Sequence, residues 1–216
     1  MISGYKAAIF DMDGTLLDSM RQWRFAALEY LMAQHMPISG EVLSGVFRRG
    51  GVATVKMCYQ QAGIDPDSLG VNFGRAILEY VAPHYEKDVT VKNNARELLE
   101  KLRAEGIVCC VATATPKQYA EAALKAHGLD RYLEFVFDET DGGCTKANCQ
   151  YFQRLVDRLG FAPSECVMFE DAMYSIRTAK KFGLTVIGVY DECALDPPEA
   201  ISAAADYYIK DFSEML

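Results

Sequence analysis

Ala7-Ala8-Ile9-Phe10-Asp11-Met12-Asp13-Gly14-Thr15-Leu16-Leu17-Asp18-Ser19 carries the decisive reading of this chain. An apolar run of strand type ends in two carboxylates at i and i+2, followed by a glycine and a threonine. Open α/β sheets place their chemistry at the carboxyl ends of their strands. Two carboxylates held close repel each other unless a cation or a proton offsets them. The stretch therefore asks for a divalent metal, a shared proton, or both. Asp and Gly also close strands for purely local reasons, and on this stretch alone that reading stays open. A calcium loop does not fit, because Gly14 comes too early and Gln22 stands where the loop's closing Glu belongs.

Composition narrows the classes. The chain has 216 residues, 50% of them hydrophobic, and a formal net charge of -8. That length holds one large domain, or a core domain with a smaller insertion. The acidic balance argues against a nucleic-acid partner, since phosphate backbones select basic surfaces. No run reaches the roughly 18 apolar residues of a membrane span, and the N-terminal residues show no signal-peptide pattern. The cysteines number seven, and Cys144 and Cys149 have no partner His or Cys at zinc-ligand spacing. Reduced thiols and a cytoplasmic location are the expectation.

The pattern predicts a strand over residues 5–11, then helices over 20–34, 41–47, 52–62 and 73–85. From about residue 88 helices and strands alternate: helix 95–105, strand 107–112, helix 116–127, strand 135–137 and helix 146–159. Strand 166–169, helix 172–182 and strands 185–189 and 207–209 follow. Alternation of this kind implies an α/β fold, a doubly wound parallel sheet, with an all-helical block inserted after the first strand. The expected division is a core of residues 1–16 and 88–216 and a helical cap of residues 17–87, placed as a lid over the strand ends. The acidic loop 138–141 reads as solvated.

Three later strand ends add to the first. Val111-Ala112-Thr113-Ala114-Thr115-Pro116 offers a hydroxyl and helix N-terminal amides that suit a phosphate, although Thr before a helix is also an ordinary cap. Lys146 stands at a predicted helix start behind an acidic, glycine-containing loop, where a lone lysine is ordinarily solvated. Cys166-Val167-Met168-Phe169-Glu170-Asp171 is an apolar strand closing on adjacent carboxylates, which also occur as helix caps. Each is ambiguous singly. In order along one sheet edge they supply an Asp pair, a hydroxyl, a cation and a second acidic pair.

Asp11-Met12-Asp13-Gly14-Thr15, Thr113, Lys146 and Glu170-Asp171 resemble the four motifs of the haloacid dehalogenase-like hydrolase superfamily. The helical block resembles the small cap of its phosphoglycolate phosphatase and β-phosphoglucomutase branch, so the likeness spans essentially the whole chain. It departs around Lys146, where the family usually shows Gly-Lys-Pro-x-Pro and this chain has Thr145-Lys146-Ala147-Asn148-Cys149. Ser175 likewise stands where glycine is common.

The resemblance implies a Rossmann-like core and a Mg2+-dependent phosphatase for a small phosphorylated metabolite, a sugar or carboxylate phosphate. Phosphate monoesters need accelerations of up to about 10²¹, and a carboxylate nucleophile divides the barrier through an aspartyl-phosphate. By resemblance Asp11 is that nucleophile, and Asp13 protonates the leaving oxygen and then deprotonates water, with its pKa raised relative to Asp11. Mg2+ would be held by Asp11, the backbone carbonyl of Asp13, Glu170 and Asp171. Gly14, Thr15, Thr113, Ala114 and Lys146 would bind the phosphate, Thr113 and Lys146 also serving catalysis. Arg48, Arg49 and Lys56 would reach a second anionic group, with Trp23 and Tyr59 shaping the pocket; the plain alternative makes Trp23 cap core and the basic residues solvated. A monomer or weak dimer is expected.

Neighbouring chemistries are pruned by the residues present. Dehalogenases of the superfamily lack the second Asp, and phosphonoacetaldehyde hydrolase has a small residue there, so Asp13 disfavours both. A β-phosphoglucomutase-like mutase is the runner-up; that enzyme uses a cap histidine soon after the first motif, whereas here Trp23 occupies the neighbourhood and no histidine precedes His35. A receiver-type phospho-Asp switch would carry its motifs in the reverse order and lack the helical insertion. A binding-only relative remains open.

Overall fold

The apolar run before Asp11 forms β1 (Ala7–Phe10), all four residues fully buried. Unbroken apolar runs suit parallel strands covered on both faces, and the later runs behave alike: β2 (Val108–Ala112), β3 (Val136–Phe137), β4 (Cys166–Glu170) and β5 (Thr185–Val189) are almost wholly buried. With β6 (Tyr207–Ile209) they make a six-stranded parallel sheet of order β3-β2-β1-β4-β5-β6. The computed structural model describes residues 4–216, and among these the chain forms ten α-helices. Ile9 lies opposite Cys110 on one side and Met168 on the other. The strand order therefore reverses at β1, and such a switch opens a crevice beyond the carboxyl ends. This is the doubly wound α/β sheet expected.

Alternate residues of the strands feed two packing layers. Ile9, Cys110, Ala112 and Met168 join Tyr151, Phe152 and Leu155 of α8 (Cys149–Leu159) and Ile176 and Ala179 of α9 (Met173–Phe182). On the opposite face Phe10 stacks on Phe169, centroids 4.6 Å and planes 4° apart, and both rings pack on Phe212. Burial of each such ring contributes about 1.5–3 kcal/mol, so β1 and β4 are clamped together just below the residues that follow them.

The chain divides into two compact units, one running to Asp18 and resuming at Thr90, the other spanning Ser19–Val89. Leu17 bridges Val91, and the Asp18 N–H donates to Thr90 O at 2.8 Å, which keeps Leu17 and Asp18 with the sheet. Both crossings thus fall slightly later than the sequence suggests. The second unit holds α1 (Met20–Ala33), α2 (Gly40–Arg48), α3 (Gly51–Gln61) and α4 (Phe73–Val81). Ser39 and Asn72 cap α2 and α4 by accepting from the Val42 and Arg75 N–H groups. Tyr59, expected to shape a pocket, is buried against Phe73 with ring centroids 5.5 Å apart. Trp23 is half-buried and donates to the Tyr85 hydroxyl at 3.3 Å. Gly51 lets α3 approach α1: a Cβ there would lie 3.0 Å from Ala27 Cβ.

Three expectations need correction. The helix placed at 146–159 begins only at Cys149, because the Asn148 side chain accepts from the Gln150 N–H at 2.9 Å and caps it there. Lys146 therefore precedes the helix. The acidic loop 138–141 is not simply solvated: Asp138 is buried, accepts from the Thr140 and Asp141 N–H groups, and starts the short helix α7 (Glu139–Gly142). A further helix, α10 (Pro198–Ala204), forms where no element was expected. No helix of the described residues is long and apolar enough to cross a membrane.

Candidate active site

Asp11 follows β1 directly, and its N–H still donates to Phe169 O at 2.9 Å, so the sheet fixes where the carboxylate starts. The chain then turns tightly, the Leu16 and Leu17 N–H groups both donating to Met12 O, at 3.0 and 2.9 Å. Gly14 adopts φ +88° in this turn, a conformation that a side chain resists. The turn sends Thr15 inward, where its hydroxyl donates to Asp171 Oδ1 at 3.3 Å.

Beyond β2, Thr113 is buried and its N–H pairs with Phe137 O. Its hydroxyl oxygen accepts from the Thr115 N–H at 3.0 Å, and the Thr115 hydroxyl donates to Asp13 Oδ2 at 2.7 Å. Ala114, between them, is exposed. Lys146 is 1% exposed. Its Nζ lies 2.6 Å from Asp11 Oδ1, 2.6 Å from Glu170 Oε2 and 3.1 Å from Ala112 O. The ammonium thus faces oxygens from the ends of β1, β4 and β2 at once. The Glu170 contact lacks hydrogen-bond alignment, so Oε2 stays buried without a donor; Oε1 accepts from the Ala172 N–H at 3.0 Å.

Charge in this site is unbalanced. Burial, reinforced by Glu170, pushes the Asp11 carboxyl up to about 8 although Lys146 pulls the other way. Burial, then Asp11 and Glu170, raises Asp171 well above the carboxylate range. Burial opposes the charge of Lys146, yet Asp11 and Glu170 outweigh it and hold the ammonium well above its ordinary value. A raised pKa on Asp11 is the reverse of what a nucleophile needs. Asp11, Glu170 and Asp171 each offer a ligand atom, all within 4.8 Å of one another and all buried. One ammonium cannot neutralise three carboxylates. A hard divalent cation accepts carboxylate oxygens and would supply the missing charge. The donor set fits Mg2+.

The structure thus brings Asp11, Asp13, Thr15, Thr113, Lys146, Glu170 and Asp171 to one edge of the sheet unit. Arg48, Arg49 and Lys56 belong to the helical unit. There Lys56 pairs with Asp67 at 2.7 Å and Arg49 lies 4.0 Å from Glu41, while Arg48 is exposed. Four further contributors escaped the sequence reading. Thr115 binds Asp13, Glu139 accepts from the Lys146 N–H at 3.3 Å, and Asp138 accepts from the Lys117 N–H at 2.8 Å. Asp191, buried beyond β5 and paired with Lys92 at 2.7 Å, adds to the rise at Asp171. The Thr-x-Thr spacing after β2 was the available signal for the first; the others have none beyond their charge.

This chain belongs to the haloacid dehalogenase-like hydrolase family, which matches residues 5–183. A validoxylamine A 7'-phosphate phosphatase of Streptomyces hygroscopicus subsp. limoneus is 30% identical across 98% of this chain and 96% of its own length. A fructose-1-phosphate phosphatase of Escherichia coli K12 is 28% identical across 88% of this chain and 98% of its own. Among solved structures, a protein described as a "predicted phosphoglycolate phosphatase" from Haemophilus somnus 129pt superposes with a TM-score of 0.83 at 21% identity, covering 100% of this chain and 98% of that one. The last likeness shows the fold. Family and phosphatase relatives together bear out the reading of a phosphoric monoester hydrolase.

Proposed function

We propose that this chain is a Mg2+-dependent phosphatase of small phosphorylated metabolites, working through a phosphorylated Asp11. The observation that carries the reading is the buried lysine shared by Asp11 and Glu170 beside Asp171. Asp11, Glu170, Asp171 and the backbone carbonyl of Asp13 would hold the cation, which when bound offsets the charge of the carboxylates and of the phosphate. Lys146 keeps Asp11 oriented and tempers its repulsion of a dianionic ester. Thr113 already accepts from Thr115, so its hydroxyl proton remains to donate to a phosphate oxygen, beside the Ala114 amide and the Gly14-Thr15 turn.

The Asp11 carboxylate bonds to phosphorus as the ester P–O bond breaks, its electron pair going to the leaving oxygen, which takes a proton from Asp13. Asp13 then takes a proton from water, whose oxygen displaces Asp11 and releases inorganic phosphate. The names of the relatives support a small metabolite ester as substrate.

Phosphate release is to be measured across a panel of phosphorylated metabolites, including fructose 1-phosphate, phosphoglycolate and β-glucose 1-phosphate, with and without Mg2+. Release that depends on Mg2+ and vanishes in Asp11→Asn is expected. Absence of release from every ester, or release that survives Asp11→Asn, refutes the reading.

A further inference from the structure

We infer that Thr115 is a positioning residue that sets the direction in which Asp13 transfers its proton; the inference rests on the phosphatase reading above. Asp13 lies in the turn after β1 and is half-buried. Thr115 is 4% exposed, and its hydroxyl donates to Asp13 Oδ2 at 2.7 Å.

That hydroxyl is itself firmly placed. The Thr115 N–H donates to the Thr113 hydroxyl at 3.0 Å, and two residues on the Lys117 N–H donates to buried Asp138 at 2.8 Å. A β-branched side chain on a backbone held at both ends has little freedom at χ1. Thr115 has the ordinary alternative of capping α6 (Lys117–Ala126), but the first N–H of that helix is taken by Asp138, and the Thr115 hydroxyl faces Asp13 instead.

With Oδ2 engaged as an acceptor, the transferable proton sits on Oδ1. It passes to the ester oxygen as the P–O bond breaks with its electron pair on that oxygen, and the carboxylate left behind takes the next proton from water. General acid–base transfer depends on hydrogen-bond reach and direction, so a carboxyl that loses this hydrogen bond is less well aimed and protonates the leaving group less often. The loss falls on esters whose leaving oxygen needs that proton.

The test compares phenyl phosphate with 4-nitrophenyl phosphate in Mg2+, two esters of one shape whose leaving groups differ in their need for protonation. In Thr115→Val, kcat for phenyl phosphate is expected to fall about 10- to 100-fold, with a much smaller fall for 4-nitrophenyl phosphate and little change in KM. Thr115→Ser should restore the wild-type ratio. Thr115→Ala carries the same comparison, so that one misfolded variant does not decide the outcome. Equal losses on both esters, no loss, or a Ser variant as impaired as Val overturns the inference while leaving the phosphatase reading intact. A wild type that hydrolyses no ester removes both.

Discussion

Replacing Lys146 by Met tests the electrostatic account of the site most directly. The side chain is 1% exposed, and its ammonium sits 2.6 Å from each of two carboxylates whose own side chains are 9% and 0% exposed. Removing one partner from a buried ion pair costs about 3–5 kcal/mol, because the remaining charge is stranded. For a chain of this size each kcal/mol moves the thermal midpoint by about 2–4 °C, so Lys146→Met in EDTA should melt roughly 6–20 °C lower at alkaline pH. The sign with pH follows from Asp11. Its carboxyl is raised from 3.8 to about 8 mainly by burial, with Lys146 restraining the rise. Without Lys146 it goes higher still. A carboxyl raised on folding binds a proton that the unfolded chain has released, so stability falls as pH rises through that window. The deficit of Lys146→Met should therefore be larger above about pH 8 than near pH 5. Thermal scans of wild type and variant in EDTA at both pH values measure it. An equal deficit at the two pH values, or none, would sink the argument that Lys146 exists here to hold charge.

Other outcomes follow from the same geometry. In wild type without metal, the thermal midpoint should fall as pH rises between about 4 and 8, since the folded Asp11 carboxyl titrates near 8 and the unfolded one near 3.8; added Mg2+ should raise the midpoint more at the alkaline end, and thermal scans with and without EDTA read both. Asp11→Asn should lose turnover by about a thousandfold or more yet melt higher than wild type in EDTA at alkaline pH, because one of three crowded carboxylates is gone. In the helical unit, Gly51→Leu should lower stability by about 1–3 kcal/mol in urea titrations, since even a Cβ meets Ala27 at 3.0 Å.

Much of the site was legible because its signals are local. An apolar run that stops at Asp11-Met12-Asp13-Gly14 reports a buried strand and its end, as does the run that stops at Glu170-Asp171. What failed was also local in origin. Apolar periodicity predicts a helix at 146–159 but cannot see that the Asn148 side chain starts the helix and leaves Lys146 ahead of it. An acidic loop reads as solvated, although the Asp138 carboxylate is consumed by three backbone N–H groups.

The sequence by itself determined a parallel α/β sheet, an inserted helical block, and the kinds of residue that end each strand, because strand burial, helix periodicity and turn chemistry all act over a few residues. Only the tertiary structure decided which ends meet. An alternating pattern is compatible with many strand orders, and placing β4 beside β1 is what sets Asp11 against Phe169 and brings Glu170 to the same ammonium. Thr115 reaches Asp13, and Asp191 influences Asp171, for the same reason. Hydrogen bonds and Coulomb forces between residues at the ends of different strands depend on how the sheet is wound, and no stretch of sequence contains that.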